Sequence, residues 1–219
     1  MKRPLIINFK NYEEASGADT VKLAKAAEKV AKRLKVEIVL APPQPALAMI
    51  TKSVRIPVIC QHTDSESDGA TTGYFVPEVA KSYGAVGSLV NHSEHRIEMK
   101  AIASVIERMR RLKMTSIVCA RTPHEVMEVS IFSPDFIAIE PPELIGSGRA
   151  VSKENPAVIT RSIAAAGPRS KVICGAGITD KGDVKAAMKL GSKGVLVASG
   201  IVKADSWSEK IAELASGMK

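Results

Sequence analysis

Cysteine is scarce and unpaired in this chain. Cys60, Cys119 and Cys174 are odd in number, far apart and without a CxxC pair, which excludes a disulfide framework and a zinc ribbon. No stretch approaches the roughly 18 consecutive apolar residues of a membrane helix. Aromatic residues make up only 4% of the chain, and the lysines are scattered rather than massed in a tail, which argues against a nucleic-acid interface despite a net charge of +8. Such a surface attracts small anions. Met1-Lys2-Arg3 leads into a short apolar run ending at Lys10, which reads as a cytoplasmic protein with neither a targeting segment nor a membrane partner. There is no linker or break in composition. With 219 residues and 45% apolar content, residues 1–219 are expected to form a single domain with a substantial core.

Short runs rich in Val, Ile and Leu recur along the chain, each followed by room for a helix: 4–8, 36–41, 56–60, 85–90, 115–119, 136–139, 171–174 and 194–197. Most lack apolar-polar alternation, as strands covered on both faces should. Between them, Leu23, Ala27, Val30 and Leu34 mark one helix face, and Ile97, Ala101, Val105, Met109 and Leu112 mark another. Thr179-Asp180 and Asp205-Ser206 are expected N-caps, and Gly191 and Gly217 expected C-caps. Eight such units point to an α/β fold, a (β/α)8 barrel, with a doubly wound open sheet as the alternative.

Polar residues and glycines collect where these runs end: Asn8-Phe9-Lys10, Gln61-His62, Asn91-His92-Ser93-Glu94, Glu140, Gly175-Ala176-Gly177 and Ala198-Ser199-Gly200. In a parallel barrel these ends share the face that carries the active site. The glycine turns after the last two strands suit a phosphate cradled by backbone N–H groups, or are simply tight turns. Glu140 is a candidate base or one half of a structural ion pair. His92, where a helix is expected to begin, is a candidate neutral hydrogen-bond donor. Lys10 could supply a cation, serve as a Schiff-base nucleophile or lie at the surface. His92 and His95 lack the carboxylate or cysteine cluster a metal site requires, so no metal is expected. The three cysteines read as small apolar packing residues.

Together, Asn8-Phe9-Lys10, Gly69-Ala70-Thr71-Thr72-Gly73, His92-Ser93-Glu94 and Glu140-Pro141-Pro142-Glu143-Leu144-Ile145-Gly146-Ser147-Gly148, in that order over nearly the whole chain, resemble the triosephosphate isomerase family. The resemblance implies a TIM barrel that interconverts dihydroxyacetone phosphate and glyceraldehyde 3-phosphate, without metal or organic cofactor, in glycolysis and gluconeogenesis. It implies that Glu140 is the base, that His92 polarises the enediolate oxygens, and that Lys10 and Asn8 complete the oxyanion site. Residues 141–148 would form a lid, with Ile145 and Gly146 joining Gly175, Gly177, Ala198 and Ser199 around the phosphate, and Glu94 in support. Gly177 departs from the serine of many relatives, and Ala198-Ser199 replaces a glycine pair.

The short interval between Cys119 and Glu140 and an abbreviated helix after His92 resemble the compact archaeal form, which implies a homo-oligomer, a tetramer rather than a dimer. The long polar loop 64–73 would then enter a neighbouring subunit and bring Thr72 near that subunit's Asn8 and Lys10. The rival enzymes are other phosphate-binding barrels: a Schiff-base aldolase using Lys10, or a sugar-phosphate isomerase of amino-acid biosynthesis.

Overall fold

The structure, a computed structural model, describes residues 1–144 and 150–219. Among these residues seven parallel strands are joined by helices. The strands are β1 (Leu5–Asn8), β2 (Ile38–Ala41), β3 (Gly87–Val90), β4 (Thr115–Ala120), β5 (Phe136–Ile139), β6 (Lys171–Cys174) and β7 (Val195–Val197), and the sheet runs β2-β1-β7-β6-β5-β4-β3. The helices are α1 (Ala18–Leu34), α2 (Leu47–Ser53), α3 (Pro77–Ser82), α4 (Met99–Arg111), α5 (Pro123–Ser130), α6 (Val151–Glu154), α7 (Pro156–Ala166), α8 (Lys181–Lys189), α9 (Ser199–Val202) and α10 (Trp207–Gly217).

The run at 56–60, expected as the third of eight strands, is the exception. It makes isolated parallel bridges instead, Val58 to Leu40 on one side and Cys60 to Ser88 on the other. Pro57 explains the weak ladder: its nitrogen carries no hydrogen, although its carbonyl still accepts from Leu40 N–H at 3.0 Å. Ile59 N–H donates to Leu40 O at 2.8 Å, and Cys60 N–H donates to Gly87 O at 3.0 Å. The segment thus spans the gap between β2 and β3 and closes the barrel.

Strand side chains divide by alternation into two cores. Ile6, Val39, Ile59, Leu89, Ile117, Phe136, Ile173 and Leu196 fill the barrel interior. Leu5, Ile7, Leu40, Val118, Ile137 and Val172 face outward beneath the helices. Both faces are apolar because both are covered, which is why the runs showed no alternation. On α1 the buried stripe is the expected Leu23, Ala27 and Val30. On α4 it is rotated: Ile102, Val105, Ile106 and Met109 are buried, Ala101 is only half-buried, and Arg108 is buried with them. Arg108 ties α4 to Glu78 of α3 and to the Glu66 carbonyl.

The caps divide as well. Asp180 and Asp183 form a reciprocal capping box on α8, and Gly191 follows that helix at φ 99°, a left-handed conformation suited to glycine. Ser206 precedes α10 without a side-chain cap bond. Gly217 lies inside α10 rather than beyond it. A Cβ there would sit 2.7 Å from Lys181 O and 2.8 Å from Val184 Cβ, so this glycine lets α10 approach α8. Although Gly→Ala normally favours a helix, overpacking here costs about 1–3 kcal/mol. Gly217→Ala should therefore lower the melting temperature by roughly 2–12 °C, measured by circular dichroism; an unchanged or raised value would refute the close-approach role.

Candidate active site

The mouth is built from strand ends. Asn8 is the last residue of β1, Glu140 follows β5, Gly175 follows β6, and Ala198 follows β7. The backbone ladder carries these positions into place, with Glu140 N–H on Ala120 O at 2.8 Å and Gly175 N–H on Ile139 O at 3.0 Å. Between them lies a cavity of about 210 Å³ lined by Asn8, Lys10, His92, Glu140, Gly175, Gly177, Ala198 and Ser199, eight of the sequence-selected residues. Tyr12, Ile178, Thr179 and Gly200 also line it. Ile145 and Gly146 lie outside the described residues. At the start of the expected lid, Pro142–Leu144 form a 3-10 turn, with Leu144 N–H on Pro141 O at 3.0 Å.

Glu140 is 1% exposed, and among the described residues its Oε2 has no hydrogen-bond partner. Desolvation pushes its pKa from 4.5 up to about 7, against the opposing pull of the Cys119 thiol, Lys10 and Arg96. The side chain fits only because position 175 has no Cβ, since one there would lie 2.6 Å from Glu140 Cγ. Gly175 is therefore a space-giving residue for Glu140 as well as a cavity wall.

His92 Nε2 stands 3.6 Å from Glu140 Oε1. Its Nδ1 accepts the Glu94 N–H at 3.2 Å, which leaves the proton of a neutral ring on Nε2, facing the cavity. Burial, then Lys10 and Arg96, hold the imidazole pKa down at about 4 against the opposing Glu94 carboxylate. The expected helix N-terminus is not the cause: residues 92–95 form a turn closed by His95 N–H on His92 O at 2.8 Å, and α4 begins only at Met99.

Lys10 is partly buried, with Nζ 2.6 Å from Glu94 Oε1. Its backbone is left-handed at φ 49°, held by its N–H on Asn8 Oδ1 at 3.0 Å and by Gln61 Nε2 on its carbonyl at 2.9 Å. Asn8 thus shapes the turn that presents the cation. Thr72 is exposed on loop 64–73 and does not line this cavity.

Sequence reasoning passed over Arg96 and Glu125. Arg96 Nη1 donates to Cys119 O at 3.3 Å and to Glu125 Oε1 at 3.1 Å, placing a largely buried cation close enough to lower the pKa of both Glu140 and His92. The available signal was a cation two residues after Glu94, where no solvated helix face explains it. The cysteines are buried, and burial pushes the Cys60 and Cys174 thiols up to about 12. Among the described residues, no helix is long and apolar enough to cross a membrane.

A family model described as triosephosphate isomerase matches residues 4–215. A triosephosphate isomerase of Cenarchaeum symbiosum is 49% identical over 216 residues, covering 98% of this chain and 97% of the relative. One from Methanothermus fervidus is 43% identical and covers 100% of both chains. A third, from Caldivirga maquilingensis, is 45% identical over 98% of this chain and 97% of its own. With the barrel, the mouth and these matches in agreement, the chain belongs to the triosephosphate isomerase family.

Proposed function

We propose that the chain interconverts dihydroxyacetone phosphate and D-glyceraldehyde 3-phosphate, with Glu140 as the base that moves the proton between adjacent carbons. The observation that carries this reading is the buried carboxylate and the neutral Nε2–H of His92, 3.6 Å apart at one cavity. Glu140 removes a proton from the carbon next to the carbonyl. The C–H electron pair becomes the enediolate double bond, and the oxygen charge falls between His92 Nε2–H and Lys10 Nζ. His92 gives its Nε2 proton to the former carbonyl oxygen and takes the proton of the neighbouring hydroxyl, and when Glu140 returns its proton to the former carbonyl carbon the double bond shifts to the second oxygen as the new carbonyl, which completes the isomerisation. Donors fixed before the charge develops need no reorganisation during the step. Gly175, Gly177, Ala198 and Ser199 hold the phosphate; Ile145 and Gly146, expected to join them, lie outside the described residues. Lys10 Nζ is committed to Glu94, an arrangement that disfavours its use as a Schiff-base nucleophile.

A raised pKa sets the direction of the pH dependence. Glu140 must be ionised to act as a base, so kcat/KM for glyceraldehyde 3-phosphate should rise through a midpoint near pH 7. Glu140→Ala should lower it by about 10²–10⁴-fold. A coupled assay with dihydroxyacetone phosphate reduction reads both, and retained turnover in the variant would overturn the assignment.

The same burial tunes stability. Between pH 4.5 and 7 the folded state binds the Glu140 proton more tightly than the unfolded state does, so this group makes stability fall as pH rises. His92, depressed from 6.5 to about 4, contributes the opposite slope over much of the same range. Glu140→Gln isolates the first: relative to the parent it should gain roughly 2–3 kcal/mol by pH 8 and show no such gain at pH 4. Urea titrations at the two pH values measure the difference, and a gain of equal size at both would count against it.

A homo-oligomer, favoured as a tetramer, completes the proposal. Loop 64–73 carries Thr72 into solvent, and an adjoining cavity of about 670 Å³, which shares Asn8, Lys10 and His92 with the first, could receive the same loop from a second copy. Met127 within the short α5 and Ile131 just beyond its end are 50% and 76% exposed and offer apolar surface for a further contact. Deletion within loop 64–73 should give a weakly active monomer by light scattering; a fully active monomer would refute the docking role.

A further inference from the structure

The 670 Å³ cavity also contains two histidines that the proposed chemistry leaves without a role. His62 follows the barrel-closing segment, and His95 ends the turn that begins at His92. Their rings are stacked, with centroids 3.9 Å apart and planes inclined by 17°.

The His62 ring is held by a carboxylate, and His95, exposed apart from its stack on that ring, is held through its backbone. His62 Nε2 lies 3.2 Å from Asp64 Oδ1. The other oxygen of Asp64 accepts Phe75 N–H at 2.7 Å, and Asp64 N–H donates to Phe75 O at 2.9 Å, so this residue closes the base of the exposed loop. Gln44 Nε2 holds the His62 carbonyl at 3.1 Å. On the other side, His95 N–H closes the turn onto His92 O at 2.8 Å. That turn sets two further contacts, Glu94 N–H on His92 Nδ1 and the Glu94 carboxylate on Lys10 Nζ.

We propose that His95 is a positioning residue for the isomerisation: stacked on His62, it fixes the 92–95 turn so that His92 Nε2 faces the substrate and Glu94 stays on Lys10. This deepens the proposed function and rests on it. The charged and titratable groups around the stack are Asp64 and Glu66 from the loop, His92 and Glu94 from the turn, Lys10 beyond β1, and Tyr74. Burial and then His95 hold His62 below the usual histidine range, against Asp64 and Glu66, so the His62 ring in the stack is neutral at neutral pH. Moving the turn would misaim a donor whose value lies in its fixed position, and a displacement near 1 Å can cost about 10²-fold.

The test uses the full chain and compares His95→Ala with His95→Phe, which keeps a ring on His62. His95→Ala should lower kcat about tenfold or more with KM changed less than about twofold, while His95→Phe restores kcat to within about twofold. The double variant His62→Ala/His95→Ala should be no worse than the worse single one, because both delete one contact. Imidazole ¹⁵N NMR should show His92 protonated on Nε2 in the parent and a mixed or broadened signal in His95→Ala. If His95→Ala does not fold, His62→Ala against His62→Phe makes the same comparison from the other ring. An unchanged kcat in the Ala variant, a Phe variant no better than Ala, or multiplying losses in the double variant would each overturn the inference. Absence of isomerisation in the parent would instead overturn the function on which it rests.

Discussion

An open parallel sheet would leave β2 and β3 as unpaired edges, and the short segment from Pro57 to Cys60 removes both by hydrogen-bonding to each. The site depends on that closure. Closure brings the C-terminal ends of β1, β3, β5, β6 and β7 around one mouth, and with them Asn8, His92, Glu140, Gly175 and Ala198. The closing arc is irregular, because Pro57 withholds a donor where the ladder would run. Ile59 compensates on the inside, fully buried among Val39, Leu89 and the other interior residues, so packing holds what hydrogen bonds alone would hold loosely.

Burial at that mouth acts on two titratable groups in opposite directions. A desolvated carboxylate is driven toward its acid and a desolvated imidazole toward its base, and in both cases the neutral form is favoured. Glu140 thereby acquires a proton affinity matched to neutral pH, while His92 keeps an Nε2–H without becoming a cation. Lys10 and Arg96 bias both residues downward. For Glu140 that restrains the rise, and for His92 it deepens the fall. Two nearby cations therefore widen the range in which the carboxylate can be ionised while the ring stays neutral.

The eight apolar runs and the polar residues at their ends were legible because each is local: a run of β-branched residues, then a residue with chemistry. Asn8, Lys10, His92 and Glu140 could be named that way. The same locality is why other features were missed. Pro57 was visible in the 56–60 run, but whether a proline costs a strand its ladder depends on which neighbour needs the missing donor. Gly217 looked like a cap because it ends an amphipathic pattern; only the approach of α8 shows that it is a contact. A helix N-terminus is not what keeps His92 neutral, since α4 starts later: burial with Lys10 and Arg96 does so, and a backbone N–H on Nδ1 sets the tautomer. Arg96 acts on Glu140 across β4, and no spacing in the sequence encodes that.

Among the described residues, two of the five non-glycine residues with positive φ lie at the mouth. Lys10 and Asn91 have φ values of 49° and 60°, each costing of order 1–3 kcal/mol unless its surroundings fix it. Both are fixed by amide side chains. Asn8 Oδ1 and Gln61 Nε2 hold the backbone of Lys10, while Asn91 holds its own turn by donating to Cys119 O at 3.1 Å and accepting Ile97 N–H at 3.1 Å. These strained residues sit where the chain leaves β1 and β3, immediately before or at the residues proposed to act on substrate oxygen. A relaxed backbone would leave each strand along its own direction and carry Lys10 and His92 away from one another. The strain is therefore the local cost of turning two diverging strand ends inward over one cavity, and the amides at positions 8, 61 and 91 are what allow the barrel to bear it.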